Sequence, residues 1–318
     1  MTMFPLSCEL HVVLGAGPLG RATALALVMP GRHVRVVNRS GGLDLPLGIE
    51  SVAVTLGQGD AAGAACAGAA AVYFCAQPPY HRWPQEFPAL QEAAIAVASG
   101  SGARLVVAEN LYGYGKVAGS MTETLPLTAR TRKGRVRAEM HARLMDAHCR
   151  ESVSVTVARG SDFFGPWVEG SAVGSRLFRA ILNGRPAEVF GDPDTLHTYT
   201  FIEDFGAVLA ILGTDDRAIG QVWHVPNAPA VSTRRFVELA FKLAKKKSRL
   251  RKVSRMELGA LGLFVPPLRE MKEMLYEFER PFVVDHRKFS VAFGDISTPL
   301  ESAITQTLDW ARGPSLGE

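Results

Sequence analysis

The chain has 318 residues, of which 47% are hydrophobic and 21% are charged. These fractions are typical of a globular protein with a large core, and they exclude a disordered chain or a small disulfide-dependent scaffold. The formal net charge of +4, from 35 basic and 31 acidic side chains, is too small an excess to indicate nucleic acid as a partner.

Strands and helices alternate along the first half of the chain. Short apolar runs predict buried strands, and Ala and Leu at helical spacing predict helices. In chain order we expect strands at 11–14, 33–37, 52–56, 71–75, 105–108 and 153–157, and helices at 19–29, 61–67, 85–98 and 133–149. Because strands joined through helices run parallel, the pattern predicts a doubly wound α/β fold with its ligand crevice at the carboxyl ends of the strands.

The second half is less regular and more helical. After residue 160 we expect helices at 173–182, 203–212, 233–247, 268–278 and 299–310, and a strand at 221–225. No Ser/Gly linker separates the halves. We therefore predict a nucleotide-binding domain at 9–160, completed by elements of 201–228, and a smaller, mainly helical substrate lobe within 161–318.

A glycine-rich turn connects the first predicted strand to the first helix. Its sequence, GAGPLG at 15–20, has the GxGxxG spacing. Such glycines permit a tight turn and let the backbone approach a pyrophosphate, while the helix N-terminus supplies N–H donors. The strand, turn, helix and second strand follow in the required order, so we predict dinucleotide binding at Gly15, Gly17, Pro18, Leu19 and Gly20.

The residues after the second predicted strand bear on which dinucleotide is bound. An acidic residue there is typical of NAD sites, but the chain has Asn38, Arg39 and Ser40. Because a guanidinium pairs well with a 2′-phosphate, we predict NADP in preference to NAD; the alternative is that Arg39 is only a solvated loop residue. By position alone, further cofactor contacts are expected at Asp60, Ala76 and Gln77.

Several segments together resemble the extended short-chain dehydrogenases/reductases, the superfamily of the NAD-dependent sugar-nucleotide epimerases and dehydratases. The similar segments are NLYG at 110–113, TETLP at 122–126, GSDFFGP at 160–166, TFIED at 200–204, and the stretch from FVVD at 282–285 to Pro299. The resemblance covers nearly the whole chain. It implies a Rossmann fold that transfers hydride to or from a small carbonyl or hydroxyl substrate.

The chain departs from that superfamily at the Tyr-xxx-Lys pair. On the corresponding helix, Thr131 or Lys133 replaces the tyrosine and Arg135 or Arg137 replaces the lysine, depending on the register. The usual serine falls near Ala108. These residues do not reproduce a phenolic acid, so the resemblance implies an atypical member.

Other residues are therefore candidates for the proton transfer. A literal Tyr-xxx-Lys occurs at 112–116, but its two glycines predict a loop rather than a helix. By position, we take Glu109, Tyr112 and Lys116 as catalytic candidates, with Asp162 and His197 second. We place Asn110, Tyr114 and Asp162 in the substrate pocket; ordinary loop packing is the alternative for the tyrosines.

We predict an NADP-dependent oxidoreductase or epimerase-like enzyme with a small-molecule substrate. The alternative is a non-catalytic NADP-binding regulator or sensor that lost the catalytic pair. No metal-binding motif is present, and the basic run at 242–255 lacks the interleaved aromatic residues that stack on bases, so we expect neither a metal nor nucleic acid. The resemblance implies a homodimer through the helices at 85–98 and 133–149.

The expected location is the cytoplasm. Cys8, Cys66, Cys75 and Cys149 show neither the spacing of a zinc site nor that of a disulfide framework. The first ten residues lack a signal-peptide pattern, and the uncharged stretch 61–80 is mainly Ala and Gly interrupted by prolines. We therefore predict a soluble protein without a membrane partner.

Overall fold

The computed structural model describes residues 8–41, 45, 48–261, 270 and 272–313. Within these residues the strands are β1 (Glu9–Leu14), β2 (Arg32–Asn38), β3 (Ile49–Ala53), β4 (Ala69–Phe74), β5 (Arg104–Glu109), β6 (Ser120–Met121), β7 (Val155–Arg159), β8 (Asp162–Phe164), β9 (Ala187–Phe190), β10 (Leu196–His197), β11 (Tyr199–Phe201), β12 (Val222–His224), β13 (Val231–Ser232), β14 (Leu250–Val253) and β15 (Val283–Val284).

The helices are α1 (Pro18–Leu27), α2 (Gly59–Cys66), α3 (Trp83–Ser101), α4 (Arg132–Cys149), α5 (Ser175–Leu182), α6 (Ile202–Leu212), α7 (Thr233–Leu243), α8 (Arg255–Leu261), α9 (Arg287–Phe293) and α10 (Leu300–Arg312). Short 3-10 turns occur at Tyr80–Arg82, Tyr112–Tyr114, Asp216–Ala218 and Leu275–Phe278.

The largest sheet has seven strands in the order β12-β7-β5-β4-β1-β2-β3. The pairs β1–β2, β1–β4, β2–β3 and β4–β5 are parallel. Val12, Val13 and Leu14 are all fully buried, although successive side chains of a strand point to opposite faces. Both faces of the sheet are therefore covered, and the predicted doubly wound α/β fold is confirmed.

The described residues divide into two compact units by their contacts. The first unit comprises Met1–Glu109, Glu139–Ala158 and Phe205–Val222; the second comprises Asn110–Ala138, Arg159–Asp204 and Trp223–Glu318. Residues 110–138, which we place in the nucleotide domain from sequence, thus make their contacts in the second unit. The role of each unit stays a prediction.

Aromatic packing forms the main core of the second unit. Phe236 is fully buried, and its ring lies edge-on to Phe164 with centroids 5.0 Å apart. Helices α5, α7 and α10 contribute to this core. Four two-stranded sheets, β8–β11, β9–β14, β10–β13 and β6–β15, complete the unit, and the sequence pattern did not predict most of these short strands.

Two predicted helices differ from those observed. The helix expected at 233–247 ends at Leu243, because Lys245 adopts a φ of 55° and the Lys246 N–H bonds back to the Phe241 carbonyl. This closure usually has glycine at the left-handed position, so the sequence contained no stop signal. Of the helix expected at 268–278, residues 268–269 and 271 lie outside the described residues, and 275–278 forms a 3-10 turn.

Phe236→Ala tests the second-unit core. Removal of a fully buried ring leaves a cavity, and we expect the free energy of unfolding to fall by about 3–5 kcal/mol. The control is Val291→Ala, whose side chain is exposed and should alter stability by less than about 0.5 kcal/mol. Denaturant unfolding measures both; equal effects would contradict the assignment of the core.

Candidate functional site

The glycine turn between β1 and α1 depends on very close backbone packing. Gly15 has a φ of 105°, and a Cβ on it would lie 2.7 Å from the backbone N and Cα of Ala76. A Cβ on Gly20 would lie 2.0 Å from the carbonyl oxygen of Gly15. Only glycine fits at these two positions, which hold the start of α1 against the ends of β1 and β4.

Gly17 stands in a different environment. It is the N-cap of α1, its φ of −68° suits any residue, and a Cβ on it would have no neighbour within 4 Å. Pro18 occupies the first helical position. A backbone N–H at this position would have no partner within the helix, so the missing N–H of proline costs no hydrogen bond. Open space therefore lies beside Gly17 at the N-terminus of α1. The unpaired N–H groups and the positive potential of a helix N-terminus favour an anion.

The remaining predicted cofactor residues lie in the same unit. Asn38 accepts a hydrogen bond from the Gly41 N–H at 2.7 Å through Oδ1, and Arg39 and Ser40 are exposed. Asp60 is exposed in the first turn of α2, and Gln77 is exposed after β4. The backbone of Ala76 packs on the glycine turn, as described above.

Glu109, a predicted catalytic residue, belongs to the first unit at the end of β5. It is buried, and its Oε2 lies 3.7 Å from Nδ1 of His141 on α4. This contact is an ion pair only when the imidazole is protonated. The contact between Glu109 and His141 therefore connects β5 to α4.

Tyr112 and Lys116, the other two catalytic candidates, belong to the second unit. A 3-10 turn covers Tyr112–Tyr114, and Gly115 follows with a φ of 73°, so 112–116 is not an α-helix, as its glycines predicted. Asn110 Oδ1 accepts from the Tyr112 N–H at 3.2 Å. The Lys116 ammonium lies 5.8 Å from the Tyr276 ring centroid.

An open pocket of about 440 Å³ lies beside Lys116. Arg280 and Pro281 also line it, and all three residues belong to the second unit. Pockets of this size accommodate small organic ligands, and two cationic side chains at the rim favour an anionic group. We did not single out Arg280 from the sequence.

Tyr114, predicted to line the substrate pocket, is instead fully enclosed in a polar network. Its hydroxyl lies 2.8 Å from His224 Nε2 and accepts from Arg159 Nη1 at 2.7 Å. His224 Nδ1 donates to the Asp285 carbonyl at 2.9 Å. Burial lowers the pKa of His224, so its ring is neutral at pH 7 and the Tyr114 O–H donates to Nε2.

The start of α4 shows what occupies the place of the Tyr-xxx-Lys pair. Thr131 Oγ1 accepts from the Gly134 N–H at 3.1 Å and caps the helix. Lys133 is fully buried, and its ammonium pairs with Glu270 and, at 2.9 Å, with Glu273. The Lys133 ammonium is therefore engaged in ion pairs with Glu270 and Glu273.

Asp162 lies in a second polar cluster of the second unit. Its Oδ2 is 2.9 Å from Nε2 of His197, which is buried, whereas Asp162 keeps 15% of its side chain exposed. His197 Nδ1 donates to the Glu277 carbonyl at 3.2 Å. Burial, with a smaller contribution from the Asp162 charge, raises the pKa of Glu277 well above its usual range.

The sequence did not single out Arg159, His224 or Glu277. Arg159 immediately precedes GSDFFGP and falls at the arginine of the similar RxxNxYGP stretch. Arg159 could therefore have been identified from the sequence. His224 lies within the strand predicted at 221–225, and the pattern gives no sign that a histidine there has a functional role. Glu277 interrupts an aromatic run, and only the fold shows that it is buried.

Comparisons with solved structures identify the fold. The chain is similar to UDP-glucuronic acid 4-epimerase from Bacillus cereus in complex with UDP-glucuronic acid and NAD, with a TM-score of 0.78, 17% identity, and coverage of 96% of this chain and 99% of that one. It is similar to MoeE5 in complex with UDP-glucuronic acid and NAD, with a TM-score of 0.75, 21% identity, and coverage of 95% and 98%.

A third similar structure is a double mutant of the dTDP-glucose 4,6-dehydratase DesIV from Streptomyces venezuelae with NAD bound, with a TM-score of 0.76, 17% identity, and coverage of 96% and 97%. No family model matches the chain, and no curated protein matches it. The chain shares its fold with these sugar-nucleotide enzymes, so the resemblance predicted from sequence is confirmed at the level of the fold.

The predicted preference for NADP over NAD is wrong. The similar epimerase and MoeE5 structures contain NAD. Arg39 is exposed at the turn after β2, and a guanidinium can donate hydrogen bonds to a ribose hydroxyl as well as to a phosphate. The absence of an acidic residue there is therefore insufficient to predict NADP.

Among the residues that the structure describes, no helix is both long and apolar enough to span a membrane.

The raised pKa of Glu277 predicts how stability varies with pH. The folded state binds its proton more tightly than the unfolded state, so this contribution to stability is complete below the unfolded pKa and is lost as the pH rises through the folded pKa. Glutamine does not titrate, so the stability of Glu277→Gln should not decrease with rising pH for this reason. We expect the wild type, but not the variant, to lose this stability as the pH rises above the usual pKa range of a glutamate.

Urea unfolding across this pH range measures the effect. The control is Glu238→Gln, because Glu238 is exposed on α7 and its substitution should leave the wild-type pH dependence intact. Parallel profiles for wild type and Glu277→Gln would contradict the burial of an acid at this position.

Proposed function

We propose that the chain is an NAD-dependent, epimerase-like oxidoreductase that acts on a small hydroxyl- or carbonyl-bearing substrate such as a sugar nucleotide. The observation that carries this proposal is the open glycine turn at Gly17, at the N-terminus of α1 and within this fold. The similar structures include an epimerase and a dehydratase with NAD bound, and the epimerase and MoeE5 structures also contain UDP-glucuronic acid.

The first unit has the features needed to hold the dinucleotide. Backbone N–H groups at the start of α1 would bind the diphosphate, and Gly17 leaves room for it. Asn38 and Arg39, after β2, would bind the adenosine ribose, and Asp60, Ala76 and Gln77 remain further proposed contacts. When bound, NAD supplies hydride acceptance and return at the substrate carbon.

The second unit would bind the substrate. Its pocket beside Lys116 and Arg280 suits an anionic group, and its polar clusters contain groups that exchange protons. We also propose that proton transfer does not depend on the helix α4 position of the usual tyrosine, because Thr131 caps that helix and Lys133 is buried in ion pairs. The cytoplasmic location and the homodimer stay predictions.

The cofactor assignment is tested by Gly17→Ala. The added methyl group has room in the protein, so folding should be preserved, but it would occupy the space through which the diphosphate approaches. We expect NADH affinity to fall by at least about tenfold, which is about 1.4 kcal/mol. Fluorescence titration with NADH measures it, and a thermal melt checks the fold.

The matched control is Gly63→Ala. Gly63 lies inside α2, and a Cβ on it would also have no neighbour within 4 Å. It should leave NADH affinity unchanged and should not destabilise the protein, since alanine is the better helix former. Titration with NADPH completes the test: wild-type protein that binds NADPH and not NADH would contradict the proposal.

The reaction is tested by incubation of NAD-loaded protein with UDP-glucose, UDP-glucuronic acid and dTDP-glucose. An epimerase returns the hydride to the substrate, so we expect isomerised or dehydrated products without net absorbance change of the cofactor. Chromatographic analysis of the sugars measures conversion. A protein that binds NADH and converts none of them would be better explained as a non-catalytic binder.

A further inference from the structure

Two helices of the second unit end at the same edge of a small sheet. α5 leads into β9 through residues 183–186, and α7 leads into β14 through residues 244–249. The two strands pair in parallel with Ala187 beside Leu250, and the Ala187 N–H donates to the Arg249 carbonyl at 2.8 Å. Because linkers of this length span only a short distance, the C-terminal ends of both helices lie where these strands begin.

Both helices end in the same backbone closure, but with different residues. The left-handed position is Gly184 after α5, with a φ of 64°, and Lys245 after α7, with a φ of 55°. In each case the N–H of the next residue bonds back to a helix carbonyl, that of Ala180 in α5 and that of Phe241 in α7. A Cβ strains the left-handed conformation, so glycine is the usual residue there. The chain thus has a lysine where its backbone favours glycine.

The two helix ends and their linkers carry six exposed cations, which we call the basic end: Arg179, Arg185, Lys245, Lys246, Lys247 and Arg249. None of the six forms an ion pair with a residue that the structure describes, and the segments 175–187 and 239–256 contain no acidic residue. Other arginines of the same elements are paired: Arg176 and Arg251 with Glu188, and Arg234 with Asp194. Uncompensated positive charge is therefore concentrated at the basic end.

Helix stability alone does not account for these charges. The C-terminus of a helix carries about half a negative charge and favours cations in its last turn. Two helix ends therefore call for about one positive charge, whereas the basic end has six. Only Arg179 lies in a last turn; the other five follow the helix ends. The excess of positive charge points to an external anionic partner.

The composition of the basic end favours a lipid surface over other polyanions. Half of its cations are consecutive lysines, and lysine is depleted at protein–protein interfaces. The run at 242–255 has no aromatic residue to stack on the bases of a single-stranded nucleic acid. Clusters of about four to eight Lys and Arg residues are typical of binding to anionic lipid headgroups. The potential of a charged bilayer is continuous, so it requires no matching groove in the protein.

We propose that the basic end is an electrostatic docking surface for an anionic lipid bilayer. The exposed residues between 242 and 252 are all polar or charged, so the surface adsorbs to headgroups and inserts no apolar anchor. The prediction from sequence that the protein has no membrane partner rested on signal-peptide and spanning patterns. Adsorption through charge requires neither. The inference goes beyond the proposed enzymatic function and does not depend on it.

Co-sedimentation with large unilamellar vesicles tests the docking surface in the full chain. We expect the wild type to bind phosphatidylcholine vesicles that contain about 30% phosphatidylserine and not to bind pure phosphatidylcholine vesicles. Bound protein should be released at about 1 M salt, where the screening length is about 3 Å. Failure to bind the phosphatidylserine vesicles, or equal binding to both kinds, overturns the proposal.

Two double variants of equal net charge locate the surface. Lys246→Gln/Lys247→Gln removes two cations of the basic end, and Arg234→Gln/Arg235→Gln removes two at the opposite end of α7. Each cation near an anionic surface contributes about fivefold in affinity, so we expect the first variant to bind vesicles about 25-fold more weakly. The second should change affinity by less than about twofold, because its cations lie away from the bilayer. Equal losses would overturn the location.

Lys245→Gly separates lipid binding from folding. Glycine suits the φ of 55°, so the melting temperature should stay the same or rise, while the lost cation should lower vesicle affinity about fivefold. Because stability and affinity do not fall together, misfolding cannot explain the loss of binding. Unchanged affinity would overturn the role of Lys245 in the surface.

Nucleic acid is the competing partner. Wild-type protein should bind duplex DNA and single-stranded RNA more weakly than phosphatidylserine vesicles at the same salt and phosphate concentration. Tighter binding to either nucleic acid would overturn the assignment to lipid. These measurements use neither NAD nor a sugar nucleotide, so their outcome is distinguishable from that of the proposed function.

Discussion

Close approach of backbone to backbone at the glycine turn is the constraint on which the nucleotide-binding part of the structure depends. Gly15 and Gly20 allow the end of β1, the start of α1 and the segment after β4 to meet at distances that any Cβ would prevent. Gly17, between them, is not needed for packing, so its missing side chain creates space on the solvent side. Gly15 and Gly20 thus permit close packing, whereas Gly17 leaves open space.

The presence of the parallel strands was predictable because buried strands leave a simple signature in the sequence. β1, β4 and β5 each contain a short apolar run that is buried, at 12–14, 71–74 and 105–107, and each lies next to a helix in the sequence. The second unit was less predictable. Its two-stranded sheets are two to four residues long, which is too short for an alternating pattern to be recognised.

The candidate site was likewise predictable from sequence only in part. The glycine turn could be located from its spacing and from its place between a predicted strand and a predicted helix, because its chemistry lies in the backbone. Cofactor preference could not be, since Arg39 is compatible with either dinucleotide when its side chain is exposed. Tyr114 and Asp162 were identified by position as pocket residues, but their partners are more than 30 residues away in sequence: His224 for the first and His197 for the second. Only the fold brings such pairs together.

The division of the chain into interleaved units has a consequence for its synthesis. The chain passes between the units at 109/110, 138/139, 158/159, 204/205 and 222/223. A ribosome adds residues from the N-terminus onward, so the first unit lacks its last segment until residue 222 has emerged. Neither unit corresponds to a continuous gene fragment: a transcript that stops before residue 222 would encode both units incompletely, and one that stops after residue 222 would encode every segment of the first unit but only part of the second.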